Sequence, residues 1–471
     1  MPPNRLFIQL INYNVRHQLL AGTLALLSLA AASFSQAISP SADGPATTRP
    51  ILKDAHGNTL HVATRTGHIT NFDESKVGTY ILPNPLVLAN GQAVRDADTW
   101  YNQRRPEILK LYENEIYGRV PTNTPKVTWE VASSEERAVN GAAVLKHLVG
   151  RMGDGADGPK MYVSLYIPTS ATSPVPVILC LNFPPSAKRG RAPADGRINN
   201  ITPSPATMSA QQRFGDPVTD ILARGWAYAT VIYTDIQADR PNSFTSGVIG
   251  LTLPPGQAEP AAGQWGTISA WAWGASRIAD YLQTDKSIDP ARIALMGHSR
   301  LGKTVLWASA RDARFAVVFS SCAGELGSSL ARRDFGETVD DMAQNFPYQF
   351  ARNLQKYPGH WNDMPVDTHM MISLTAPRPL FISGGTLDLW SDPVGEYLAE
   401  VAAGPVYRLL GKKDLGMSST TPPLDTPLIT GDLGFNYHTG PHEASPSDWK
   451  AFLEFTGKYF SRAPSAQTKP R

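Results

Sequence analysis

The chain has 471 residues, 42% of them hydrophobic and 18% charged, a balance that excludes a disordered chain and allows one large domain or about two to three ordinary ones. Lys and Arg total 43 against 41 acids, and two of the cations, Arg5 and Arg16, lie in an acid-free leader, so the remainder is neutral. Neutrality argues against nucleic acid as a partner, and two cysteines are too few for a disulfide scaffold or a Cys-rich zinc centre.

At the N-terminus, Arg5, Arg16 and His17 precede an apolar run from Leu19 to Ala32, and Ser35-Gln36-Ala37 supplies small residues for cleavage. This pattern predicts a secretory signal cut after Ala37, since about 14 apolar residues fall short of the roughly 20 that span a bilayer. The mature chain is expected to be periplasmic or secreted, with no membrane association, and to be a monomer. Ser39 to Pro50 has the composition of an exit segment.

Helical spacing of Ile108, Leu111, Tyr112 and Ile116 predicts a helix over Trp100 to Tyr117, stopped by Gly118. Four short β-type runs follow, over 127–131, 143–145, 161–167 and 175–181. The first three alternate, as antiparallel hairpins do, and the fourth is continuously apolar, as a strand buried on both faces is. From Gly225 the pattern becomes strand (226–233), helix (267–282), strand (293–296), helix (301–310), strand (315–319), which implies a parallel sheet covered by helices on both faces. Runs at 379–383 and 406–410 predict two more strands. A last helix begins at Ser445, with Pro446 in its first turn and Asp448 placed to close a capping box.

The sharpest local signal is Ile293-Ala294-Leu295-Met296-Gly297-His298-Ser299-Arg300-Leu301-Gly302-Lys303, a buried strand turning directly into a helix. Such a turn lifts the Ser299 hydroxyl above the sheet edge and leaves the next backbone N–H for a developing oxyanion. The usual G-x-S-x-G pattern is shifted, with its second glycine one residue late at Gly302. A serine nucleophile needs a base, and the base needs an orienting acid. Asp388 follows the 379–383 run, and His442 precedes the final helix. The order Ser, Asp, His is that of α/β-hydrolases. His438 is read as structural. His360 and His369 lack metal-ligand spacing, so neither a metal nor a cofactor is expected.

Gly-His-Ser-Arg-Leu-Gly-Lys resembles the signature of the glucuronoyl esterases, family 15 of the carbohydrate esterases. Further matches are Arg333-Asp334-Phe335-Gly336-Glu337-Thr338, Ala376-Pro377-Arg378-Pro379-Leu380, Asp388-Leu389-Trp390-Ser391-Asp392-Pro393 and Tyr117-Gly118-Arg119-Val120-Pro121. The resemblance implies an α/β-hydrolase fold with a mostly parallel central sheet, an N-terminal antiparallel extension, and cleavage of esters joining (4-O-methyl-)glucuronic acid of glucuronoxylan to lignin alcohols. It further implies Ser299 as nucleophile, His442 as base, Arg300 as oxyanion donor, and Lys303, Glu337 and Trp390 as holders of the uronate ring. Where many members carry a triad glutamate after the strand following the nucleophile helix, this chain has Cys322, which leaves Asp388 as the expected acid and Glu325 as its reserve. Cys180 and Cys322 are expected to stay unpaired, on strands either side of the nucleophile strand. The organisation expected is a signal peptide (1–37), an exit segment and N-terminal extension (38–80), one catalytic domain (81–462) and a tail (463–471). An acetyl-xylan or other carbohydrate esterase on the same fold, or a non-catalytic sugar-binding protein, are the alternatives.

Overall fold

The structure, a computed structural model, describes residues 52–155, 157–184 and 217–461. The signal, the exit segment and the tail lie outside the described residues. Nine strands form one sheet: β1 (Val127–Ala138), β2 (Ala143–Met152), β3 (Lys160–Pro168), β4 (Val175–Asn182), β5 (Ala227–Ile232), β6 (Ile288–His298), β7 (Phe315–Ser321), β8 (Leu380–Gly385) and β9 (Leu433–His438). Their order is β1-β2-β3-β5-β4-β6-β7-β8-β9. Pairings are antiparallel from β1 to β5 and parallel from β5 through β4 to β9. This is the α/β-hydrolase architecture implied by the sequence, with the alternating runs making the antiparallel part.

Side-chain alternation splits the parallel strands between two cores. Val177, Leu179 and Leu181 of β4, Leu295 of β6 and Ile382 of β8 face a core shared with the helices Thr267–Leu282, Arg300–Arg311 and Pro393–Leu409. Ile178, Cys180, Met296, Phe319 and Phe381 face a second core closed by the helix Pro446–Phe460. A strand buried on both faces has no polar side to alternate with, which explains the continuous apolar runs. The last helix is capped as its sequence predicts: the Ser445 hydroxyl accepts from the Asp448 N–H, and the Asp448 carboxylate accepts from the Ser445 N–H at 2.7 Å.

One expected element is overturned. Val406-Tyr407-Arg408-Leu409-Leu410 is no strand but the C-terminal end of the helix Pro393–Leu409 and its cap. The helix starts at Asp392, whose carboxylate accepts from the Gly395 N–H at 2.9 Å, and Pro393 fits its first turn. The strand before the His442 loop is instead β9, Leu433–His438.

Residues 52–80 are tied to the rest of this unit. Glu74 receives Arg333 at 2.7 Å, His61 pairs with Asp341 at 2.8 Å, and the Gly336 N–H donates to the Asn71 carbonyl. Because β6 to β9 are parallel neighbours, the segments leaving their carboxyl ends share one sheet edge.

Candidate active site

Ser299 follows β6 and caps the helix Arg300–Arg311, with φ 58° and ψ −127°. A non-glycine residue there is strained by roughly 1–3 kcal/mol and persists only where its surroundings enforce it. They do so here: the Ser299 N–H donates to the Ser321 carbonyl of β7 at 2.8 Å. A Cβ at Gly297 would lie 2.2 Å from the Leu301 carbonyl oxygen, so only glycine fits. A Cβ at Gly302 would lie 2.8 Å from the Ala323 Cβ and 2.9 Å from Ser320 Oγ. The displaced glycine of the motif is thus where the helix presses on the end of β7. Arg300 opens the helix, so its N–H has no acceptor within it.

Asp388 leaves β8 and is buried, and its Oδ2 lies 2.6 Å from His442 Nδ1. The two loops are stitched together: Thr386 N–H donates to the His438 carbonyl, and Leu387 N–H to that of Gly440. The His442 side chain is 41% exposed, and its ring lies 4.5 Å from that of His298, the residue before the serine. Burial holds the His298 imidazole far below its ordinary pKa, so a neutral ring faces His442. His438 is held away from this chemistry by Asp448, 3.1 Å from its Nδ1, as its structural reading requires.

The Arg300 guanidinium is ion-paired with Asp239, packs over the Phe346 ring at 5.0 Å, and keeps its Nε–H without a partner among the described residues. Asp239 also accepts from Tyr233 at 2.5 Å, Tyr348 at 3.1 Å and Gln349 at 2.8 Å. Sequence reasoning missed this cradle; its one signal is an acid just past the carboxyl end of β5.

Lys303, Glu337 and Trp390 meet in space. Lys303 Nζ donates to the Ala323 carbonyl at 2.5 Å and stands 3.6 Å from Glu337, whose other oxygen accepts from Trp390 Nε1 at 2.9 Å. Burial raises the Glu337 carboxyl above its ordinary pKa, and the Lys303 ammonium opposes that shift. His61, also missed from sequence, stands edge-on to Trp390 at 5.7 Å.

Glu325 is buried, and burial first, then the charges of Asp367 and Glu337, push its pKa well up against the opposing Lys303 ammonium; no bond joins it to His442 among the described residues. Cys180, on β4, and Cys322, just past the end of β7, are buried, unpaired thiols on opposite sides of β6, as expected. Burial and the charges of Asp388, Glu396 and Asp448 push the Cys322 thiol well above its ordinary pKa. His369 is occupied structurally, 2.8 Å from the Pro83 carbonyl.

A family described as fungal glucuronyl esterase matches residues 260–411. A carbohydrate esterase from an unknown prokaryotic organism is 36% identical, over 83% of this chain and 92% of its own. The structure of a glucuronoyl esterase from Solibacter usitatus is 40% identical with a TM-score of 0.74, over 81% of this chain and 98% of its own. A family 15 esterase from a marine bacterial metagenome, described as promiscuous, is 36% identical with a TM-score of 0.73, over 82% of this chain and 99% of its own.

Proposed function

The chain belongs to the glucuronoyl esterases of carbohydrate esterase family 15, and we propose that it cleaves the ester between (4-O-methyl-)glucuronic acid of glucuronoxylan and lignin alcohols through an acyl-enzyme on Ser299. As a carboxylic ester hydrolase it must supply a nucleophile, a base and oxyanion donors. The observation that carries the assignment is the 2.6 Å contact of Asp388 with His442 Nδ1, on the sheet edge that also carries the strained Ser299. The contact fixes the Nδ1–H tautomer and leaves Nε2 as the acceptor for the serine proton.

Ser299 Oγ attacks the uronate carbonyl while His442 takes its proton. The oxyanion is met by the Arg300 backbone N–H and by its guanidinium; donors of this kind contribute on the order of 3 kcal/mol each. His442 then returns the proton to the departing alcohol, and a water that it activates cleaves the acyl-enzyme to free uronate and Ser299. Glu337, hydrogen-bonded to Trp390 and beside Lys303, offers hydroxyl partners, and Trp390 offers an apolar face for the sugar.

The enzyme works after export, released from its signal near Ala37, as a monomer. Among the described residues no helix is long and apolar enough to cross a membrane. The test is release of glucuronate from benzyl glucuronate by the wild type and by Ser299→Ala. Wild-type release with none from the variant is expected. Faster turnover of acetylated xylan than of methyl or benzyl glucuronate would instead favour an acetyl-xylan or other carbohydrate esterase on the same fold.

A further inference from the structure

The thiol of Cys322 has no task in this mechanism, yet it stands beside the acid and base. One oxygen of Asp388, one ring nitrogen of His442 and Cys322 Sγ all lie within 4.8 Å of one another. We propose that these three side chains form an inhibitory site for a thiophilic divalent cation of the zinc and cadmium type. The consequence for turnover rests on the triad reading above; the binding of the ion does not.

Thiolate, imidazole and carboxylate are the three side-chain ligand classes of zinc, with bonds of roughly 2.0 to 2.3 Å. Tetrahedral coordination at those lengths puts ligand atoms about 3.3 to 3.8 Å apart, so side-chain adjustments of about an ångström convert the present cluster into a three-ligand site with one position left for water. The backbone prepares it. Cys322 leaves β7 with φ 46° and donates its N–H to the Ser383 carbonyl of β8 at 2.8 Å, so its position is set by the strand that delivers Asp388. The Glu443 carbonyl, 3.5 Å from Sγ, adds a further oxygen at the rim. The surrounding charge has the sign that attracts a cation, since the carboxylates of Asp388 and Asp448 both act on the thiol. Access comes from the side of His442, 41% exposed, while Cys322 itself is 1% exposed and shielded from larger reagents.

Binding forms a metal–sulfur bond, with the thiol proton passing to solvent. The Nδ1 lone pair goes to the ion and the ring's single proton moves to Nε2, with no change of oxidation state. An imidazole protonated at Nε2 cannot accept the Ser299 proton, so the bound ion is an inhibitor and not a cofactor.

The experiment titrates the full-length mature protein with Cd2+ and reads the ultraviolet cadmium–thiolate charge-transfer band; Zn2+ inhibition of benzyl glucuronate hydrolysis is measured in parallel, before and after addition of a chelator. Wild type, Cys322→Ala, Cys322→Ser and Cys180→Ala are compared, each normalised to its own metal-free rate. The expected result is a saturable band in the wild type and Cys180→Ala that is lost in both Cys322 variants. Chelator-reversible Zn2+ inhibition should weaken by about tenfold or more in those variants. Absence of the band in wild-type protein, its persistence without Cys322, or equal Zn2+ inhibition of all variants overturns the proposal. The wild-type band stands even if a Cys322 variant fails to fold. It is read without turnover, so hydrolysis surviving in Ser299→Ala would count against the nucleophile and not against the metal site.

Discussion

Asp239 and Arg300, 61 residues apart in the chain, form an ion pair next to the turn serine, with the Asp239 side chain 6% exposed. Three further donors, from Tyr233, Tyr348 and Gln349, leave Asp239 little freedom, so the guanidinium it pairs with is held in one orientation. The pairing also cancels the charge of Arg300, which otherwise would attract the anionic uronate product.

Two effects are therefore expected of Asp239→Asn. Loss of aim should lower kcat by about 10- to 100-fold, somewhat less than removal of an oxyanion donor, with little change in KM. An uncompensated guanidinium should also tighten product inhibition by glucuronate. Steady-state kinetics with added product separates this from a general loss of structure, which would not make glucuronate a better inhibitor.

Asp388→Asn should reduce kcat by about 10³ to 10⁴, because an amide cannot enforce the Nδ1–H tautomer of His442. Glu325→Gln, which alters a carboxyl buried away from His442, should leave kcat within several-fold of wild type. Near wild-type turnover in the Asp388 variant, with collapse in the Glu325 variant, would reverse the two assignments.

The parallel sheet was legible because strands buried on both faces are apolar without interruption, as in Val177-Ile178-Leu179-Cys180-Leu181. The serine turn was legible because its glycine answers a local clash with Leu301. Val406 to Leu410 misled because a five-residue apolar run fits a strand or a buried helix face equally well. β9 escaped notice because Gly434 and Asn436 interrupt it, each for a tertiary reason: a Cβ at Gly434 would lie 3.0 Å from the rings of Phe381 and Phe455, and Asn436 bonds to Asp448 at 2.7 Å. Asp239 was hidden for the same kind of reason, since Tyr348 and Gln349 reach it from 109 and 110 residues away.

Lys303 and Glu337 are both largely buried, so neither charge is well placed without the other. Lys303→Met should cost about 3–5 kcal/mol in a denaturant titration, as expected when one member of a buried pair is left alone. Adding Glu337→Gln should recover part of that loss, and both variants should raise KM for glucuronate esters more than they lower kcat. Single and double variants with additive costs would mean that the pair is not coupled.

Glu396 links the site to the stability of the fold. Its Oε1 accepts from the Gly324 N–H at 2.9 Å and the Ser328 hydroxyl at 2.6 Å, while its Oε2 lies against Gly384 without a partner among the described residues. Burial first, and the nearby charges of Asp388 and Asp392, push this carboxyl up to about 8. The folded protein therefore holds a proton that the unfolded chain has already released above its ordinary pKa of about 4.3. Stability from this group is complete below that pH, is lost progressively as pH rises towards 8, and changes no further beyond it. The loss is on the order of a few kcal/mol. Glu396→Gln keeps the Oε1 acceptor but cannot ionise, so its thermal midpoint relative to wild type should rise between pH 5 and pH 9. Other titrating groups are common to both proteins and cancel in the comparison. A difference that stays constant across that range would mean that Glu396 ionises in the fold as it does in the unfolded chain.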